Sequence, residues 1–141
     1  WSIGCIIGEM LLGKPMFRGK STLDQIEKVF NVTGMPNKSD IAAIDSPHAE
    51  KIIQSLPPID RPELSDVFPN APHDALDLME KCMMIDPTKR IDVQGALEHP
   101  YLAQFHNDAN EPVCKKKIVI PMDDNKKFSI REYRMKIYYD I

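Results

Sequence analysis

The opening segment limits the fold more than any other feature. Trp1, Ile3, Cys5, Ile6, Ile7, Met10, Leu11 and Leu12 fall on every side of a helical projection, and a helix apolar all round is expected in a core. Gly13 and Pro15 end it, because glycine accepts the left-handed conformation of a helix terminus and proline cannot continue a helix. The run contains Glu9 and stops far short of the roughly 20 apolar residues that cross a bilayer. No basic flank marks a signal peptide. Gly4 and Gly8 therefore read as a place where a neighbouring helix packs closely. A chain that opens at Trp1, inside such a helix and not at Met, is expected to be a piece of a longer chain or a processed product.

The rest of the pattern is helical with one broken insert. Ser21 can cap a helix with Asp24 three residues on, and Leu23, Ile26, Val29 and Phe30 follow at helical spacing up to Gly34 and Pro36. Residues 35–71 form an irregular insert. There Ser39 is expected to cap a turn or two, Ser46-Pro47 to open another short helix carrying Ala49, Ile52 and Ile53, and Pro57, Pro58, Pro62 and Pro69 to forbid a long one. From Pro72, the residues Ala75, Leu76, Met79, Cys82 and Met83 make one apolar stripe, stopped by Asp86-Pro87. Asp92 then caps a short helix through Ala96 and Leu97 that ends at His99-Pro100. Beyond Tyr101 an extended tail carries Lys115, Lys116 and Lys117 and then Ile118, Val119 and Ile120. Ser129 and Glu132 form a capping box for a last amphipathic helix with Ile130, Tyr133, Ile137 and Ile141 on one face.

Composition excludes several classes of function. With 141 residues, 43% hydrophobic and 28% charged, the chain can build one core. A net charge of −3 supplies no general attraction to nucleic acid or anionic membranes, and three lysines fall short of the usual basic runs of about five to eight residues. Cys5, Cys82 and Cys114 lie far apart without metal-ligand spacing, so reduced thiols are expected in a cytoplasmic or nuclear setting. His48, His73, His99 and His106 sit at caps, turns or in the tail, and no G-x-S-x-G elbow accompanies any serine, which removes the case for a hydrolase triad.

Three motifs in order carry a resemblance. Trp1-Ser2-Ile3-Gly4-Cys5 resembles the W-S-x-G-C opening of the large central helix of the eukaryotic protein-kinase C-lobe. Asp86-Pro87-Thr88-Lys89-Arg90 resembles the D-P-x-x-R motif, and Ala96-Leu97-Glu98-His99-Pro100-Tyr101-Leu102 the closing A-L-x-H-P-Y-L. Lys14-Pro15-Met16-Phe17 and Leu23-Asp24-Gln25-Ile26 look like the CMGC group, while Ser55-Leu56-Pro57, Phe68-Pro69-Asn70-Ala71 and Ala75-Leu76-Asp77-Leu78 are similar to its MAP kinase members. The tail wording Phe128-Ser129-Ile130-Arg131-Glu132-Tyr133-Arg134 resembles the extracellular-signal-regulated kinase seven/eight branch.

The resemblance implies a mainly α chain: a partial kinase domain over 1–102, from its central helix onward, with an insert about 35–71, then a MAP-kinase-type tail over 103–141 whose terminal helix braces the other lobe. It implies a parent that is a serine/threonine kinase using ATP and Mg2+, with protein substrates, docking peptides, and an upstream kinase or autophosphorylation. No G-x-G-x-x-G loop, H-R-D-x-x-x-x-N loop, D-F-G or A-P-E occurs in the 141 residues, and these carry the family's phosphate, metal and acceptor contacts. The chain alone is therefore expected to bind no ATP and to be inactive. The remaining readings are another CMGC kinase, such as a cyclin-dependent one, and a non-catalytic kinase remnant that binds partners.

Trp1, Asp86 and Arg90 are the structural residues the resemblance implies. The arginine matching Arg90 is buried in the family against the A-P-E glutamate, so here it is expected to be uncompensated if it stays buried, and the isolated chain to be poorly folded or aggregation-prone. An acidic docking patch after H-P-Y-L falls on Asn107 and Asn110, leaving Asp108 and Glu111 beside them and implying feeble binding of basic peptides. An apolar docking pocket falls on Thr22, Leu23, Ile26 and Ile52.

Overall fold

A computed structural model describes residues 1–119, 122–123 and 125–140, and divides the chain into two compact units, Trp1–His106 and Asn107–Ile141. Among the described residues no strand is present, and no helix is long and apolar enough to cross a membrane.

The first unit is organised around one helix-on-helix contact. Helix α1, Ser2–Leu12, lies against α6, His73–Cys82. Gly4 and Gly8 are the buried residues of α1. A Cβ at Gly4 would stand 2.7 Å from Met83 Cγ, 2.9 Å from Cys82 Cβ and 3.2 Å from the Met79 carbonyl oxygen, so the missing side chain is what lets the two backbones approach. Met79 and Leu78 of α6 are fully buried. Around Met79 gather Leu64, Phe68, Leu76 and Met83, with Trp1, Cys5, Ile7 and Leu11 packed against them. Gly13 closes α1 at φ 66°, donating its N–H to the Glu9 carbonyl at 2.9 Å; this is the left-handed cap that glycine adopts without a steric penalty.

The expectation that α1 is buried on every side is corrected. Ile3, Ile6 and Met10 are 56%, 50% and 77% exposed. They sit three and four residues apart on one face, while α6 and Met16, whose thioether lies over Gly8, cover the other. Apolar periodicity tells which residues shun water, not how many neighbours are at hand to cover them.

Helix α2, Thr22–Thr33, starts at Ser21, whose hydroxyl accepts the Asp24 N–H at 3.2 Å, and buries Phe30. The insert holds α3, Lys38–Ala43, α4, Ala49–Gln54, and the single turn α5, Leu64–Val67. Two expectations change here. Asn37, not Ser39, caps α3: its side chain accepts from the Ser39 and Asp40 N–H groups while Asp40 returns a bond to the Asn37 N–H. Ser46-Pro47 does not open α4, which begins at Ala49 with His48 as its uncapped first flank. Asp92 caps α7, Val93–Leu97, through the Gly95 N–H at 2.8 Å.

In the second unit a 3-10 turn spans Asp108–Asn110, and α8 spans Ile130–Asp140. Ser129 and Glu132 make the capping box, with bonds of 2.8 Å and 3.3 Å. Ile130, Tyr133 and Ile137 are exposed. Ile120 and Ile141, expected in the tail's apolar triplet and on the α8 face, lie outside the described residues.

Candidate docking groove and motif corner

An apolar groove of about 320 Å³ opens in the first unit between α2 and α4. Ile26, Val29 and Phe30 line it from α2, Ile52 and Ile53 from α4, and Ile44 from the loop between α3 and α4, with Ile85 from the segment after α6. Among the described residues its polar lining is only Gln25 and Ser46, and no charged side chain faces it. Helical spacing explains the α2 wall, since 26, 29 and 30 share a face. Of the four residues inferred for an apolar docking pocket, Ile26 and Ile52 meet here, whereas Thr22 and Leu23 are exposed and do not line it. Both belong to the first turn of α2, on the same face as Ile26 but one turn before it, beyond the end of the groove's lining. Ile44 and Ile85 could not be read as groove residues, because their approach to α2 depends on the path of the insert and not on local spacing.

The D-P-x-x-R segment forms a polar corner beside the core. Asp86 is 5% exposed. Its carboxylate accepts the Thr88 N–H at 2.9 Å and the Thr88 hydroxyl at 2.7 Å, and faces Lys89 Nζ at 3.3 Å. The Thr88 bonds first, then Lys89, hold the Asp86 carboxyl below its ordinary pKa. Lys89 also reaches Asp40 at 2.7 Å and Ser39 Oγ at 3.3 Å, pinning α3 to this corner. Asp40 and then Asp86 raise the Lys89 pKa, and Lys89 with the Asn37 N–H lowers that of Asp40.

Arg90 is half-buried and compensated, contrary to the expectation of an unpaired guanidinium. Its Nε donates to the Met84 carbonyl at 3.1 Å and an Nη to the Ile85 carbonyl at 3.4 Å. The guanidinium carbon lies 5.3 Å from the centre of the Trp1 ring, a cation–π arrangement that joins the first motif to the second. Backbone carbonyls and a π face provide what a carboxylate was expected to provide.

His99 is 4% exposed. Its Nδ1 accepts the Tyr101 N–H at 3.3 Å, which leaves Nε2 to carry the proton toward Asp77 Oδ2 at 2.8 Å. Asp77 also accepts from Lys81 at 2.7 Å, and Lys81 first, then His99, lowers its pKa. The closing motif is thereby clamped to α6. In the second unit Asn107 caps the 3-10 turn through the Ala109 N–H at 3.0 Å, while Glu111 Oε1 accepts the Asn107 N–H at 3.0 Å. Asn107, Asp108 and Asn110 are exposed and Glu111 half-buried.

A helical core with three linked motifs defines a class of protein. The family model of the protein kinase domain matches residues 1–102, and the chain belongs to the protein kinase family. Within it the similarity is to MAP kinases. "Extracellular signal-regulated kinase 2" of Dictyostelium discoideum is 50% identical over 141 residues, 100% of this chain and 38% of that protein. "Mitogen-activated protein kinase 15" of Xenopus laevis is 41% identical over 139 residues, 98% of this chain and 24% of its own length. "Mitogen-activated protein kinase spm1" of Cytospora mali is 41% identical over 114 residues, 81% of this chain and 27% of its own length. The chain thus spans well under half the length of the curated relatives it matches. The relatives place it in the CMGC group as a MAP kinase segment, consistent with the seven/eight branch, and do not favour a cyclin-dependent kinase or a non-catalytic remnant.

Proposed function

We propose that these residues work as part of a protein that transfers the γ-phosphate of ATP, with Mg2+, to serine or threonine followed by proline, in the cytoplasm or nucleus. The observation that carries the reading is the similarity to MAP kinases along the whole of this chain, tail included. In that protein the first unit is the scaffold, with Arg90, Trp1 and Asp86 holding the loop after α6 and with the α2–α4 groove receiving apolar side chains of partner proteins. Asp108 and Glu111 beside Asn107 and Asn110 form a weak acidic surface for basic docking peptides, since complementary charge raises encounter rate and selectivity. Activation comes from an upstream kinase or from autophosphorylation. The 141 residues alone transfer no phosphate, because the groups that hold ATP, Mg2+ and the acceptor hydroxyl are not among them.

The test uses an antibody against residues 107–141 to recover the protein from its source cells. The recovered protein is expected to phosphorylate a Ser-Pro peptide with Mg·ATP, and the purified 141-residue chain to give no transfer and no heat of ATP binding. A recovered protein without kinase activity under activating conditions, or ATP turnover by the chain alone, would overturn the proposal.

A further inference from the structure

Ser46-Pro47 is the single Ser/Thr-Pro dipeptide of the chain. It lies in the loop between α3 and α4, where residues 44–48 are all exposed. Asp45 turns the chain there at φ 50°, a left-handed conformation that aspartate tolerates better than most side chains. The Ser46 hydroxyl does no capping for α4, whose flank is His48 without a side-chain cap; among the described residues its one hydrogen bond is a long 3.4 Å acceptance of the His48 N–H. Pro47 offers no amide N–H and biases Ser46 toward extended backbone, the local geometry in which a kinase cleft takes an acceptor residue. The same serine lines the α2–α4 groove, in which no lining side chain is charged.

We propose that Ser46 is a phosphoacceptor for a proline-directed kinase, and that its phosphate closes the groove to apolar ligands. The Ser46 Oγ–phosphorus bond forms as the bond between the γ-phosphorus of ATP and the β–γ bridging oxygen breaks. ADP departs with that electron pair, and the hydroxyl proton passes to solvent. The product carries a charge of about −1.5 to −2 at neutral pH. Among the described residues no cation lines the groove to neutralise it, so it stays hydrated at the rim, and an apolar group entering beside Ile44 and Ile52 must strip that water. The second half of the proposal rests on reading the groove as a docking surface; the first half does not.

The experiment treats the whole chain with an active proline-directed kinase and Mg·ATP, and locates phosphate by mass spectrometry. Groove occupancy is read from the methyl resonances of Ile26 and Ile52 during titration with Nile red, a neutral apolar probe. One phosphate on Ser46 is expected, absent in Ser46→Ala and at least tenfold slower in Pro47→Ala, with Nile red bound about tenfold more weakly once Ser46 is phosphorylated. Ser46→Ala treated in the same way should keep its affinity for the probe. Failure to phosphorylate Ser46, or phosphorylation that leaves the probe's affinity at the groove unchanged, would overturn the proposal. Neither result bears on whether the larger protein is a kinase, which the antibody assay decides separately.

Discussion

Substituting alanine for Gly4 and for Gly8 separately should give opposite outcomes, although both glycines lie on the buried side of α1. Alanine favours a helix interior over glycine by about 1 kcal/mol, so either change is stabilising in isolation. At Gly4 the new methyl meets Cys82 Cβ at 2.9 Å and the Met79 carbonyl at 3.2 Å. These are main-chain and first-carbon atoms of α6, and they cannot move without shifting the helix. Because the helix itself must move, the overpacking cost falls in the upper part of the usual range, about 2–3 kcal/mol, leaving Gly4→Ala about 1–2 kcal/mol less stable than the parent after the helix gain. At Gly8 the nearest atom is the sulfur of Met16, with the Met79 sulfur at 3.2 Å. Both are ends of flexible thioethers that rearrange at low cost, so Gly8→Ala should be neutral or more stable by a few tenths of a kcal/mol. Urea unfolding followed by circular dichroism measures the pair; with a slope of about 1.5–2 kcal/mol per molar, the Gly4→Ala midpoint should fall by about 0.5–1.3 M. A Gly4→Ala protein as stable as Gly8→Ala would refute the close approach of α1 to α6.

Other perturbations bear on separate parts of the fold. Met79→Ala empties the centre of a core in which Met79 has no exposure and should cost about 2–5 kcal/mol in the same urea assay. Arg90→Ala frees the Met84 and Ile85 carbonyls and uncovers the Trp1 face; a loss of about 1–2 kcal/mol and a shift in Trp1 fluorescence are expected, and an unchanged emission would contradict the stacking. The folded-state pKa values of Asp86, Asp40 and Asp77 are all depressed, so their contribution is present above the unfolded value near 3.9 and lost as pH falls through the folded values. The raised Lys89 pKa works at the other end, its contribution present below about 10.4 and lost as pH rises through the folded value. Lys89→Met should therefore flatten both limbs of a stability–pH profile, and an identical profile would count against the corner.

Local chemistry was the legible part of this chain. Ser21, Asp92 and Ser129 cap the helices they precede, because a cap and its target amide lie within three residues and nothing distant competes. The α3 cap falls on Asn37 and not on Ser39, because Asn37 and Asp40, which bond reciprocally, offer the backbone a better exchange than one hydroxyl. Burial was less legible than secondary structure. Ile3, Ile6 and Met10 have the same apolar character as Ile7 and Leu11, and only the position of α6 separates the two faces. The groove was half legible, since Ile26 and Ile52 lie on amphipathic segments, whereas Ile44 and Ile85 arrive through a proline-broken insert with no usable period. The partners of Arg90 were hidden for a similar reason: carbonyl acceptors leave no mark in a sequence.

The most direct test of the central claim, that these residues are the scaffold of a kinase whose chemistry lies in other residues, is the mass of the native protein. An antibody raised against residues 107–141, used on a denaturing gel of the source cells, should reveal a band near 40 kDa or above, about the size reached if this chain makes up the same 38% of the whole as it does of the Dictyostelium relative, well beyond the 16.1 kDa of this chain. A lone band at 16.1 kDa would contradict the account and leave a helical module that binds partners without phosphorylating them.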